Sequence, residues 1–358
     1  MDEGIYIAIP PGAIIPGVLP KFKIYLLSPE GHYSLWALEG NKVTAKQLEK
    51  LTEGGLKEVY IDLEENFLYE EYLETNLSKI LENQATSVDQ KAAIFSKVSI
   101  NVVRVAFEAS FGQGTMGPEA IKRTERMIRN ALEFLTETKS LQALSQMIGH
   151  DYKTYEHATK VLWFTVAFLR DNPAILGIIE PGYPDVDEIQ KMELLRQCGV
   201  GALLHDIGKT FVSQDILNKN GPLTEIEWEI MKRHPLNSLA MLLTTDIPEF
   251  VKKAVLQHHE DFDGGGYPMQ LRGLHISILA RVLRIVDTFD AMTSRRPYKD
   301  SLPPRKAIEI MIGTPPSNNI GGYKTLEQDH RDQGMIQCFD EDLLRKFILF
   351  LGKTKLNE

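Results

Sequence analysis

Cysteine is nearly absent: Cys198 and Cys338 are the only two in 358 residues. That excludes a disulfide framework and a thiolate metal site, so a bound metal would depend on nitrogen and oxygen ligands. Long apolar runs are also missing. No stretch approaches the roughly 18 residues needed to cross a bilayer, so no membrane span is expected. The opening MDEGIYIAIPPG lacks a basic n-region, so no signal peptide is expected and the protein reads as cytoplasmic. A positive excess is lacking too. The 40 Lys and Arg stand against 49 Asp and Glu, a formal charge of -9, which argues against a protein whose main task is gripping a nucleic-acid backbone. The imbalance is local. Residues 1–82 hold seven lysines and fourteen acids, whereas the remainder carries 33 bases and 35 acids. The larger part therefore keeps room for a basic pocket around a phosphorylated ligand.

Apolar residues at 43% and charged residues at 25% suit a soluble chain with a sizeable core, and the length suggests two or three domains. Residues 1–82 read as a small α/β domain. Short β-rich stretches at Phe22–Leu27 and Glu58–Leu63 flank a helical stretch near Thr44–Thr52, stopped by Gly54-Gly55. From Thr86 onward apolar residues recur at helical spacing, with a glycine-rich break at Phe111–Gly117. The expectation is a mainly α chain: connecting helices over 83–147, then a helical bundle over 148–352. Two loops stand out, Asp171–Asp187 and Gly313–Gly334, the second longer than an ordinary connection.

Histidines and acids carry the chemistry. His205-Asp206 closes the apolar run VGALL, at the end of a buried helix. An isolated His-Asp dipeptide is most simply a satisfied buried histidine, and His150-Asp151 reads as helix entry with Asp151 as N-cap. The second signal is harder to absorb: His258-His259-Glu260 ends the apolar segment AVLQ and runs into DFDGGGYP. Paired histidines at a helix end are poor core residues. Asp263 and the following glycines, by contrast, fit an ordinary Asx turn. His234-Pro235 reads as the end of a helix opened by Thr224, which has capping-box spacing to Glu227. Asp287 lies in the apolar ILARVLRIVDTFDAM, where Arg284 or Arg281 is a natural partner, and His157 lies on an amphipathic helix. Five imidazoles with two buried carboxylates suit two divalent metals. One Asp bridges the ions in such sites, and a bridging water becomes a nucleophile at neutral pH.

HDIGKTFVSQDIL, LTEIEWEIMKRHP, HHEDFDGGGYP and RIVDTFDAMTSRRPYK, in that order, resemble the HD-GYP family, a branch of the HD-domain metal-dependent phosphohydrolases. The similarity covers roughly Ile148–Leu351. IPPGAIIPGVLPKFKIYLLS resembles the small domain that precedes some HD-GYP domains. The resemblance implies a phosphodiesterase that opens cyclic di-GMP to pGpG or GMP through a hydroxide bridging two ions, iron or alternatively manganese. It implies His157, His205, Asp206 and Asp287 on one ion, with Asp206 bridging to a second held by His234, His258 and His259. Asp206 and Lys209 are the implied catalytic residues. Lys209, Arg296 and Lys299 match positions that contact phosphates. Asp263, Gly266, Tyr267 and Pro268 form the GYP loop, used for guanine and for GGDEF-domain partners; a homodimer is left open.

Two departures follow from the resemblance. Lys153 replaces a glutamate that in some members helps hold a third metal, and a cation there cannot ligate and would repel an ion. A binuclear site with slow hydrolysis, stopping at pGpG, is one consequence; a lysine that simply snorkels to solvent is the other. Ser238 replaces a common glycine, expected to matter little. The competing functions are a catalytically weak cyclic di-GMP-binding module reporting through the N-terminal domain or the GYP loop, and an HD phosphohydrolase acting on nucleotides or RNA. The HHE-x-x-DG-x-GYP segment argues against the last.

Overall fold

A computed structural model describes residues 5–53, 55–84, 86–110, 115–136, 154–181, 185–219, 221–294, 301–313 and 335–353. Lys153, Arg296, Lys299, the His150-Asp151 pair and the long loop from 314 to 334 lie outside the described residues. The chain divides into two compact units, Met1–Asn101 and Val102–Glu358. The division falls inside helix α4 (Val88–Ser110).

The first unit is built on strands β1 (Tyr6–Ile9), β2 (Ile24–Leu27), β3 (Tyr33–Ala37) and β4 (Val59–Asp62), with helix α1 (Ala45–Glu53) between β3 and β4. The strands form one antiparallel sheet in the order β1-β4-β2-β3. Alternation decides its faces: Ile9 pairs with Val59 and Ile7 with Ile61 on the inner side, while Tyr6, Tyr25 and Tyr60 point outward. Just before β2, Phe22 meets the Tyr69 and Tyr72 rings of α2 (Asn66–Thr75) edge-on at 5.6 and 5.4 Å. The Tyr72 hydroxyl accepts from the Ile15 amide at 2.8 Å, so this buried phenol is satisfied.

The second unit is helical. At its centre run α6 (Thr154–Asp171) and α8 (Glu188–Leu204), with α5 (Pro118–Thr136) beside them; α7 is the short helix Pro173–Ile179, opened by its proline inside the stretch expected to be a loop. Gly199 explains the close approach of these helices: a Cβ there would press on Leu162, Val166 and Ile128 side chains. Helix α6 is apolar almost all round, with Val161, Leu162, Trp163, Phe164, Val166, Phe168 and Leu169 buried, as a bundle's central helix should be. Its ring cluster continues into Phe289 of α13 (Ile278–Thr293) and Phe347 of α15 (Glu341–Lys353), with centroids 5.4 to 5.5 Å apart. This packing presents His157 and Asp287, on α6 and α13, to the same interior. Among the described residues no single helix is long and apolar enough to cross a membrane.

Candidate functional site

Helix α8 starts with a full capping box, Asp187 accepting from the Gln190 amide at 2.8 Å, and ends at His205. There the chain tightens into a 3-10 turn, Ile207–Phe211. Gly208 is required at that turn, because a Cβ would overlap the His234 carbonyl and the Ser238 amide. Ser238 accepts from the Gly208 amide at 2.8 Å and donates to the His205 carbonyl at 2.9 Å. The residue expected to matter little therefore clamps the backbone on both sides of His205-Asp206. His234 also differs from expectation. The capping box at Thr224 opens α10 (Glu225–Met231) as foreseen, but His234 opens the next helix, α11 (His234–Leu242), with Pro235 in its first turn. Proline is favoured there, and the positive end of the helix dipole disfavours an imidazolium.

His258 and His259 follow helix α12 (Glu249–Gln257), and the side chains converge. Asp206, His234, His258 and His259 bring one ligand atom each within 4.8 Å of one another, and so do His157, His205 and Asp287. Asp206 faces both groups. Its Oδ1 lies 3.2 Å from His234 Nε2 and 3.8 Å from His258 Nε2; its Oδ2 lies 3.3 Å from His205 Nε2 and 3.7 Å from His157 Nε2. His157 Nε2 is also 3.0 Å from Asp287 Oδ1, and His259 Nδ1 is 4.0 Å from Asp287 Oδ2. Arg284 and Arg281, expected as partners for Asp287, are instead held by Asp261 and Asp340 at 2.6 Å each. That leaves Asp287 turned toward the histidines.

The donor set fits a metal. His205, His234 and His258 each hold Nδ1 on a backbone carbonyl, of Ala202, Met231 and Val255, at 2.7 to 2.8 Å. A carbonyl only accepts, so Nδ1 carries the proton and Nε2 keeps its lone pair facing inward. The Nε2 atoms of His234 and His258 stand 3.2 Å apart, two acceptors facing each other that a shared cation would reconcile. His205 Nε2 and Asp206 Oδ1 are buried without a hydrogen bond. Charge agrees. Burial lowers His258 to about 4 and also lowers His234 and His259, the last pushed further by its neighbouring imidazoles. Burial opposes ionisation of Asp206, but Lys209 and His205 outweigh it and hold the carboxyl well below its usual range. For Asp287 the same burial is outweighed by the adjacent His157, with His259 and His205 adding to it. Neutral imidazoles beside ionised carboxylates are the ligating forms of both.

The glycine-rich turn folds back over this group. Glu260, buried, accepts from the Met269 and Leu271 amides at 2.6 and 2.8 Å. The Tyr267 amide donates to the His259 carbonyl at 3.1 Å, and Asp263 accepts from the Gly265 amide at 2.9 Å as an Asx turn should. A Cβ at Gly266 would overlap the His259 carbonyl and the Asp261 amide. The loop thus lays the Tyr267 ring on His259, centroids 4.8 Å apart and 27° from parallel, with Pro268 next and Trp228 edge-on to Tyr267 at 6.0 Å. Lys209 reaches Asp206 Oδ2 at 2.6 Å. Sequence reading passed over Asp290, whose Oδ2 lies 2.7 Å from His157 Nδ1. Its only signal was a second acid one turn beyond Asp287 in an apolar helix.

Comparison with known proteins agrees with this geometry. The HD domain model matches residues 190–316. A cyclic di-GMP phosphodiesterase of Pseudomonas aeruginosa is 30% identical over 277 residues, 74% of this chain and 62% of that protein. The chain belongs to the HD-GYP family. A Thermotoga maritima cyclic di-GMP phosphodiesterase is 34% identical over 52% of this chain and 49% of its own length. A Vibrio cholerae 3'3'-cGAMP-specific phosphodiesterase is 40% identical over 31% of the chain and 24% of its own. The chain spans 62% or less of the length of each of these relatives. An HDG"Y"P protein from Bdellovibrio bacteriovorus shares the fold, with a TM-score of 0.59 at 17% identity, covering 97% of this chain and all of that one. HD domains depend on divalent metals, and the histidine-aspartate groups of this HD-GYP chain supply suitable donors.

Proposed function

We propose that this HD-GYP chain is a metal-dependent phosphodiesterase that hydrolyses cyclic di-GMP to pGpG and/or GMP. The observation that carries the proposal is Asp206, a buried carboxylate with one oxygen toward each of two histidine groups. On this reading His157, His205 and Asp287 would hold one divalent ion and His234, His258 and His259 a second, with Asp206 available to both. Iron is favoured, with manganese as the alternative. Bound ions supply Lewis acidity and lower the pKa of a water so that it serves as nucleophile near neutral pH.

The chain's own groups do the rest. Asp206 and Lys209 act at the reacting phosphate, Asp206 by joining the two groups and Lys209 by neutralising phosphate charge from its place 2.6 Å from that carboxylate. Asp263, Gly266, Tyr267 and Pro268 shape the wall that receives a base, with the Tyr267 ring as stacking surface. Arg296 and Lys299 are assigned, with Lys209, to the ligand's phosphates, and Lys153 either to the absence of a third ion or to solvent. Residues 1–82 are assigned a regulatory or recruiting role, residues 83–147 a connecting one, and 148–352 the chemistry. GGDEF-domain proteins would dock on the GYP loop, in the cytoplasm. Relatives named for either cyclic di-GMP or 3'3'-cGAMP make the base the open variable. Incubation of metal-restored protein with each dinucleotide, followed by mass spectrometry, tests the proposal. Linear pGpG is expected from cyclic di-GMP and none with Asp206→Ala; cyclic di-GMP bound but never opened would make the protein a binding module.

A further inference from the structure

Four imidazoles of the site have their Nδ1 partner on view, and one differs from the others. His205, His234 and His258 use the carbonyl three residues earlier. His157 uses Asp290 Oδ2 at 2.7 Å, on another helix. Behind Asp290, Ser294 Oγ donates to Oδ1 at 3.1 Å, and Lys160 Nζ donates to Ser294 Oγ at 2.9 Å. All four residues are buried, none more than 1% exposed.

The chain has one direction. A lysine ammonium donates only, so the Ser294 hydroxyl accepts from Lys160 and must spend its single proton on Asp290. Asp290 then accepts at Oδ1 and faces an imidazole nitrogen at Oδ2, which puts the His157 proton on Nδ1. A charged orienting acceptor also makes the imidazole a stronger donor to a metal than a carbonyl does. Lys160 balances the charge that Asp290 brings into the interior.

We propose that Asp290, aimed by Ser294 and Lys160, is the positioning residue of His157, and that it makes the His157–His205–Asp287 group the tighter of the two metal sites. The affinity order rests on the metal reading above; the orientation of His157 does not. The test has two arms. In metal-free, 15N-labelled protein, long-range proton–nitrogen spectra should show His157 carrying a proton on Nδ1, which faces Asp290, whatever Nε2 does beside Asp287. Manganese titration by calorimetry should then show two affinities. Asp290→Asn, Ser294→Ala and Lys160→Met should each weaken the tighter one roughly 10- to 100-fold, leave the other within a few fold, and Ser294→Thr should recover most of the loss. A His157 without a proton on Nδ1 in the wild type overturns the proposal, as does a Ser294→Ala protein with an unchanged His157 protonation pattern and an unchanged ratio of affinities. Wild-type protein that takes up no manganese refutes the metal reading instead, and the spectra still judge the orientation.

Discussion

Gly208→Ala is the smallest change that should pull the site apart. The added methyl would sit closer than 3.0 Å to the His234 carbonyl oxygen and the Ser238 amide nitrogen, both backbone atoms, and 2.8 Å from Ser238 Oγ. Backbone cannot swing aside as a side-chain tip can, so the turn carrying Asp206 and the start of the helix carrying His234 must separate by roughly 1 Å. Overpacking of this kind costs about 1–3 kcal/mol. Loss of the Gly208 amide bond to Ser238 adds about 1 kcal/mol. For a unit of this size the melting temperature should fall by roughly 5–15 °C. The same displacement lengthens the 3.2 Å separation between Asp206 and His234, and misplacement of about 1 Å costs on the order of 100-fold in turnover. Thermal melts with and without manganese, together with turnover at saturating dinucleotide, measure both effects. Wild-type stability with wild-type turnover would refute the steric argument and the geometry it rests on.

Glu260→Ala removes the acceptor of the Met269 and Leu271 amides; metal content should persist while the Kd for cyclic di-GMP rises roughly 10-fold, and an unchanged Kd would show that the loop holds itself. Tyr267→Ala should raise KM more than it lowers kcat, because the ring stacks on His259 and, on the proposed reading, receives a base and not a phosphate; a fall in kcat alone would place the tyrosine in the chemistry. Metal-free protein should lose stability on acidification from pH about 6.5 to about 4. Folded His258 titrates at about 4 against an ordinary 6.5, so in that window the unfolded chain binds more protons, and the gap corresponds to about 3 kcal/mol. Asp206 and Asp287, held below their usual range, add a further loss at lower pH still. Urea unfolding in chelator at pH 7, 5.5 and 4.5 reads this slope, and a flat profile would contradict it.

The histidines and acids that the fold brings together were largely legible because their types and order are unusual in themselves. A double histidine at a helix end, a His-Asp at another and an acid inside an apolar helix are each expensive without a shared purpose. The helix boundaries near Thr224 and Thr44 were legible through capping and glycine stops. What escaped was whatever depends on a partner distant in sequence. Ser238 looks like an ordinary helix serine until the 3-10 turn at Gly208 is laid against it. Asp290 and Lys160 are 130 residues apart, and only the packing of α6 on α13 brings them to one serine. From sequence, Pro235 reads as a helix stop and puts His234 at a helix end, whereas in the first turn a proline is a start. Arg281 and Arg284 were offered to Asp287 by proximity in sequence, but their guanidinium groups leave the helix toward Asp340 and Asp261.

The central claim is that Asp206 joins two metal sites in one HD-GYP chain, and metal content per chain tests it most directly. Manganese-loaded protein, desalted and analysed by plasma mass spectrometry, should carry two ions in the wild type. One should remain in His157→Ala and one in His234→Ala, and Asp206→Ala should retain neither. A wild type that holds a single ion under saturating metal, or an Asp206→Ala protein that keeps both, would contradict the account.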